Sequence, residues 1–190
     1  MRKNFGSQPW MLPMPVLIVA AYDENGVPNA MNAGWGTISG YETVLLCLGS
    51  NHKTTQIIRK TGAFTVSLGE VKHQTACDFL GVVSGKDCPN KLEKAGFTTT
   101  KSQFVNAPII NELSVTLECE YIGETPDGKA LGKIVNVSAD EGVLDGEGRI
   151  DADKIGVLTY DPVYRAYRKL GNLEGKAFDI GKALKQGGSV

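Results

Sequence analysis

The segment that most constrains the fold is PVLIVAAYDENGVPNAM, residues 15–31, in which two apolar runs flank a turn centred on Asn25-Gly26. Asn-Gly accepts positive φ at little cost, and between apolar runs it is a strong hairpin signal. Val16 to Tyr22 and the run reaching Met31 are therefore expected to be antiparallel neighbours. SVTLECEYIG and KALGKIVNVSADEGVL flank Pro126-Asp127-Gly128 and predict a second hairpin. Thr43 to Leu48 hardly alternates and reads as a strand buried on both faces, AFTVSL as another, and Gly156 to Tyr160 as a short one. Residues 52–61 predict a short helix ending at Gly62, with Thr55, Ile57 and Ile58 inward, and EVKHQTACDFLGVV predicts a second. The helices are too few and too irregularly placed for a doubly wound parallel sheet, so a mostly β, closed antiparallel architecture with short helices is the expected class.

A chain of 190 residues can bury one substantial core, and no linker divides it, so a single domain over 1–190 is expected. Its net charge of −1 gives no broad basic field for nucleic acid or an anionic membrane surface, and any anion site must be local. Cys47, Cys77, Cys88 and Cys119 form no C-x-x-C pair and are expected to be reduced and mostly buried. His73 and Cys77 would share a helix face, but two ligands do not make a metal site. Arg2 and Lys3 before WMLPMPVLIVAAY imitate a secretory signal, yet Pro13 and Pro15 interrupt the run and cleavage would discard a core strand. The run is also too short to span a bilayer. A cytoplasmic location is expected. Asn136-Val137-Ser138 matches a glycosylation sequon but sits inside a predicted strand. GWGTISG, residues 34–40, is one residue too long for a dinucleotide fingerprint, and no helix follows it.

The chemistry concentrates in LGSNHKTTQIIRKTG, residues 48–62. Ser50, His52, Lys53, Thr54 and Thr55 bring hydroxyls, an imidazole and an ammonium to a helix start, where backbone N–H groups lack intrahelical partners. A phosphate there would gain roughly 0.3–1 kcal/mol per charge from the helix dipole. A unit-charge pair with Lys53 at about 4 Å and an effective dielectric near 20 is worth roughly 4 kcal/mol before desolvation, so the lysine outweighs the dipole. Capture at about 1 μM needs roughly 8 kcal/mol, and a flat apolar ligand body must supply the rest. The competing reading is that Ser50 or Asn51 caps the helix and Lys53 is solvated. Against it, a lysine at a helix N-terminus is unfavourable unless an anion compensates it. The upstream stretch NAMNAGWG adds Asn32 and Trp35 beside the small residues Ala33, Gly34 and Gly36, which let a planar ring approach the backbone; a glycine-bearing bulged strand is the alternative.

PMPVLIVAAYDENGVPNAMNAGWG, LCLGSNHKTTQII, CDFLGVVSGKDCPNKLEKAGF, APIINELSVTLECE and YDPVYRAYRKLG together resemble the flavin reductase-like family that includes flavoredoxins. The resemblance covers nearly the whole chain and implies an FMN-binding split β-barrel, usually a homodimer with flavin sites near the subunit interface. It assigns Met31, Asn32, Ala33, Gly34 and Trp35 to the isoalloxazine ring and Ser50, Asn51, His52, Lys53, Thr54 and Thr55 to the phosphate and ribityl chain. Relatives carry a loop with SG and a later DKF; here Ser84-Gly85 is kept and Asn90-Lys91-Leu92 replaces the second part. Ser84 and Gly85 either edge the flavin or form a surface turn. Tyr164, Arg165 and Tyr167 either reach the cofactor or its nicotinamide partner, or close the barrel.

The function this implies is an oxidoreductase moving hydride or electrons between NADH or NADPH and FMN, with the flavin as the reacting group and no catalytic side chain. Alternatives are an FMN electron carrier of flavoredoxin type served by a redox partner protein, and a binding module that has lost redox function. A pyridoxamine-phosphate oxidase on the same barrel is weighed against by the scarcity of arginines near the carboxyl end, Arg165 and Arg168 apart.

Overall fold

The computed structural model describes residues 1–185. The Asn25-Gly26 hairpin forms as expected. Strands β1 (Met14–Pro15), β2 (Leu17–Tyr22) and β3 (Pro28–Ala33) open the chain, and β2 pairs antiparallel with β3 from Leu17 opposite Ala33 to Tyr22 opposite Pro28. Gly26 takes φ of 77°, and Asp23 accepts the N–H groups of Asn25 and Val27 on its carboxylate, each at 2.9 Å.

The GWGTISG stretch holds the key to closure. Gly36–Gly40 is a strand, β4, that the sequence reading did not anticipate, and it pairs with β5 (Thr43–Leu46). Helix α1 (Lys53–Thr61) ends at Gly62, whose φ of 75° and N–H bond to the Ile58 carbonyl are those of the expected C-cap. Then follow β6 (Ala63–Leu68), helix α2 (Gln74–Val82), the single-turn α3 (Lys91–Lys94) and the small hairpin of β7 (Thr99–Lys101) and β8 (Pro108–Ile110). The second predicted hairpin joins β9 (Val115–Glu124) to β10 (Ala130–Ala139), with Gly128 at φ of 80° in its turn. β11 (Leu158–Asp161) and β12 (Ala166–Lys169) complete a three-stranded sheet with β1.

The main sheet runs β3-β2-β6-β9-β10-β5-β4, all antiparallel. Its two edge strands, β3 and β4, are separated in sequence only by Gly34 and Trp35, so the sheet must curl until its edges meet. Gly36 sits at that meeting point: a Cβ there would lie 2.7 Å from the side chains of both Leu17 on β2 and Leu46 on β5. The Trp35 carbonyl accepts from the Cys47 N–H at 2.8 Å and stitches the corner. The result is a curled antiparallel half-barrel, mostly β with short helices.

Inside the curl, Leu17, Val19, Met31, Val44, Leu46, Phe64 and Val66 form one core with Ile57 and Ile58 of α1. The other face of β2, Ile18 and Ala20, packs under Cys77 and Leu80 of α2 with Phe97, Ile110 and Leu158. β2 is thus buried on both faces. β5 is not: Val44 and Leu46 are buried while Thr43 and Leu45 are half-buried, because only one face looks into the core. Asn136 of the sequon donates its amide to the buried Glu118 carboxylate at 2.6 Å, so the barrel wall holds it.

Candidate functional site

α1 starts without a side-chain cap. His52 is the N-cap residue in extended conformation, it makes no capping bond, and the first turn carries no acid. Ser50 and Asn51 lie outside the helix and are exposed, so the capping reading finds no support in geometry. The N–H groups of the first turn are left without intrahelical acceptors, and the positive end of a nine-residue helix faces outward with Lys53 on it. Thr54 and Thr55, which the resemblance assigns to the phosphate and ribityl chain, are both buried, Thr55 on the same face as Ile57 and Ile58 as the sequence reading placed it. Thr54 Oγ1 accepts from Asn29 Nδ2 at 2.6 Å, and Thr55 Oγ1 is buried without a partner.

The facing wall comes from the end of α2 and the turn after it. Lys53 Nζ donates to the Gly85 carbonyl at 3.3 Å, and Lys86 Nζ donates to the Asn51 carbonyl at 2.9 Å. Gly85 is required there, because a Cβ would overlap Asn29 Oδ1, itself a buried acceptor without a hydrogen bond. Lys91, only 3% exposed, donates to the carbonyls of Leu80 at 3.0 Å and Val83 at 2.9 Å. Burial pushes its pKa down to about 8; the nearby Cys88 opposes this and the positive charge of Lys53 adds to it. The depression is chiefly that of a charge taken out of water, with a like charge nearby.

One cleft of about 240 Å³ unites Met31, Asn32, His52, Lys53, Thr54, Ser84 and Gly85 from the sequence reading, and Lys91 lines it too. Ala33 is buried in the barrel core, Gly34 faces Tyr160, and Trp35 is half exposed beside the closure. Tyr167 is half-buried beyond Asn32, edge-on to Tyr160. Tyr164 is 73% exposed under the Arg168 guanidinium and does not line the cleft, and Arg165 is exposed as well. His73 packs edge-on against Phe97, and burial pushes the Cys77 thiol up to about 11, which keeps it protonated. Asn29 and Lys91 are the residues that sequence reasoning undervalued. Lys91 stands in sequence between Asn90 and Leu92, with Glu93 and Lys94 following, so nothing local signalled its burial.

A larger hollow of about 540 Å³ is lined by Asp145, Asp151 and Asp153. Its carboxylates suit no anion, so size does not decide between the two.

Residues 11–169 match the family described as flavin reductase like domain, and the chain belongs to that family. Its fold is the split barrel of flavin reductase-like proteins. It superposes on the flavoredoxin of Desulfovibrio vulgaris (Miyazaki F) with a TM-score of 0.91 at 29% identity, covering 95% of this chain and 100% of that one. Flavoredoxin from Methanosarcina acetivorans matches with a TM-score of 0.84 at 26% identity, covering 97% and 100%. An FMN-binding domain of a flavin reductases-like enzyme from Shewanella baltica, at 21% identity and a TM-score of 0.76 over 85% and 88%, shares the fold. An uncharacterized protein of Aeropyrum pernix is 26% identical over 113 residues, 59% of this chain and 43% of its own, so the match spans less than half of that relative. Among the described residues, no helix is long and apolar enough to cross a membrane.

Proposed function

We propose that this chain binds FMN in the cleft between α1 and the 81–85 turn and works as a flavin reductase-like oxidoreductase, passing electrons between NADH or NADPH and the flavin. The observation that carries the reading is the convergence of Lys53 and Lys91 on the uncapped start of α1. Two ammonium groups, free first-turn N–H groups and no facing acid in the helix form a donor set for a phosphate monoester. Asn29, buried beneath Gly85, donates to Thr54 Oγ1 and so fixes Thr54 at the cleft wall.

Cofactor sites commonly enclose about 300–1,000 Å³. The cleft falls below that range, so the phosphate and sugar chain occupy it while the flat ring extends past Asn32 along Gly34 and Trp35. Trp35, Ile38 and Tyr41 are exposed apolar groups along that edge, and a second copy of the chain is the cover that fits a homodimer. When bound, FMN supplies the redox chemistry, taking hydride from reduced nicotinamide and releasing electrons to an acceptor. The protein's part is to hold the phosphate with Lys53 and Lys91, to edge the ring with Asn32 and the backbone of residues 33–35, and to exclude water from the sugar chain.

The similarity to two flavoredoxins favours a second reading, an electron carrier reduced by a partner protein. An anaerobic absorption spectrum of the purified protein separates the two. Yellow protein bleached by NADH or NADPH supports the reductase; yellow protein bleached only by a reduced partner protein supports the carrier; colourless protein with no response to added FMN contradicts both.

A further inference from the structure

The turn after α2 runs beside β3, and two glycines fix its direction. A Cβ on Gly81 would come 3.1 Å from the Asn32 Cβ, and one on Gly85 would overlap Asn29 Oδ1. The cleft therefore runs from an Asn32 end, with Leu80 and Gly81, to an Asn29 end, where Lys53 meets Gly85. Just past that second end, Lys86 Nζ donates to the Asn51 carbonyl at 2.9 Å. Neither residue lines the cleft, so their bond lies across its end and not within it. Both partners are held in place. The Lys86 N–H donates to Ser84 Oγ at 3.1 Å, and the Ser84 carbonyl accepts from the Asp87 and Cys88 N–H groups at 3.1 and 3.0 Å. On the facing side, the His52 N–H donates to the Gly49 carbonyl at 3.1 Å and keeps Asn51 in a tight turn.

Two lysine bonds thus close this end in succession, and a ligand affects them differently. Lys53 can exchange the Gly85 carbonyl for a phosphate, a stronger acceptor, and stay within the cleft. Displacing Lys86 would instead leave the Asn51 carbonyl against phosphate oxygens, and two acceptors make no hydrogen bond. We infer that Lys86 is a specificity-determining residue: its bond to Asn51 ends the cleft just past a terminal phosphate, so a flavin mononucleotide fits and a dinucleotide, which continues from that phosphate, does not. The inference rests on the function proposed above and adds the residue that restricts the site to the shorter flavin.

The test titrates the parent, Lys86→Met, Lys86→Ala and Lys86→Arg with FMN and with FAD, and reads the ratio of the two affinities. Lys86 is exposed, so all four proteins should melt together. The parent should bind FMN at least about tenfold more tightly than FAD. Losing the one bond across the end should narrow that ratio roughly three- to tenfold in Lys86→Met and Lys86→Ala, through tighter FAD binding. Lys86→Arg, which keeps a donor for the Asn51 carbonyl, should hold the ratio near that of the parent. Were Lys86 only one more cation near the anion, its removal would weaken both flavins alike and leave the ratio unchanged. An unchanged ratio in Lys86→Met and Lys86→Ala, or a parent that binds FAD as tightly as FMN, would overturn the assignment and leave the proposed function standing. A parent that binds neither flavin would overturn both.

Discussion

The Lys53 ammonium donates to the Gly85 carbonyl at 3.3 Å, a contact that joins the start of α1 to the turn after α2 across 32 residues of chain. It holds the side chain over the cleft, so Lys53 loses less rotamer freedom on meeting an anion than a solvated lysine would. Lys86 makes the reciprocal bond to the Asn51 carbonyl, so the two walls are tied from both sides.

Replacing Lys53 with alanine should weaken FMN binding by about 1–3 kcal/mol, the range for charge-assisted hydrogen bonds, and leave the melting temperature of the FMN-free protein nearly unchanged. Fluorescence titration and a thermal melt of the same preparation check both halves.

Lys91 gives the binding a pH signature. Its pKa in the FMN-free fold lies at about 8, below the ordinary 10.5, and a bound phosphate would raise it. FMN affinity should therefore fall above about pH 8, by up to roughly tenfold per pH unit while the bound lysine stays protonated. In the free protein the sign is opposite. Between about 8 and 10.5 the unfolded chain holds more protons on this lysine than the folded one, so its contribution to stability rises with pH. Lys91→Gln should flatten both profiles, and titrations and melts from pH 7 to 10 would show it.

Two glycines at the β3–β4 corner should fail differently. Gly36→Ala places a methyl 2.7 Å from Leu17 and Leu46 at the barrel closure, and overpacking of that kind costs about 1–3 kcal/mol of stability. At Gly34 the nearest atom to an added Cβ is Tyr160 Cδ1 at 3.8 Å, so Gly34→Val should fold normally yet block the ring. Denaturant melts and FMN uptake, measured on both variants, separate the two effects.

The barrel's late hairpin should be acid-sensitive through Asp161. Its hydrogen bond from Arg168 and those from the Tyr164 and Val163 N–H groups hold its pKa below 3.8 despite some opposing desolvation. A depressed carboxyl stabilises fully above its unfolded pKa and loses that contribution as pH falls through the folded one. Asp161→Asn should therefore be less stable than the parent at neutral pH and converge with it in acid, as melting temperature against pH would record.

The hairpins and the helix start were legible because each has a local cause. Asn25-Gly26 and Pro126-Asp127-Gly128 dictate their turns, and Gly62 ends α1 by its own conformation. β4 was not legible, because GTISG has neither a buried face nor a strong strand preference. Its place follows from the tight hairpin with β5 and from Gly36 fitting against Leu17 of β2 as well as Leu46, a contact the local sequence does not signal. At the site, His52 and Lys53 announced themselves by charge and position. Lys91 and Asn29 did not, since their roles arise where α2, the 81–85 turn and β3 pack together. A hydroxyl in a helical first turn points inward or outward by helical phase: Thr55 was already in phase with Ile57 and Ile58, and the structure buries Thr54 as well.

The central claim, that the start of α1 anchors a phosphate, is tested most directly by titrating the FMN-free protein with FMN and with riboflavin, which lacks only that group. The account predicts that FMN binds at least about a hundredfold more tightly, roughly 2.7 kcal/mol, and that Lys53→Ala removes much of the difference. Equal affinity for the two flavins would contradict it.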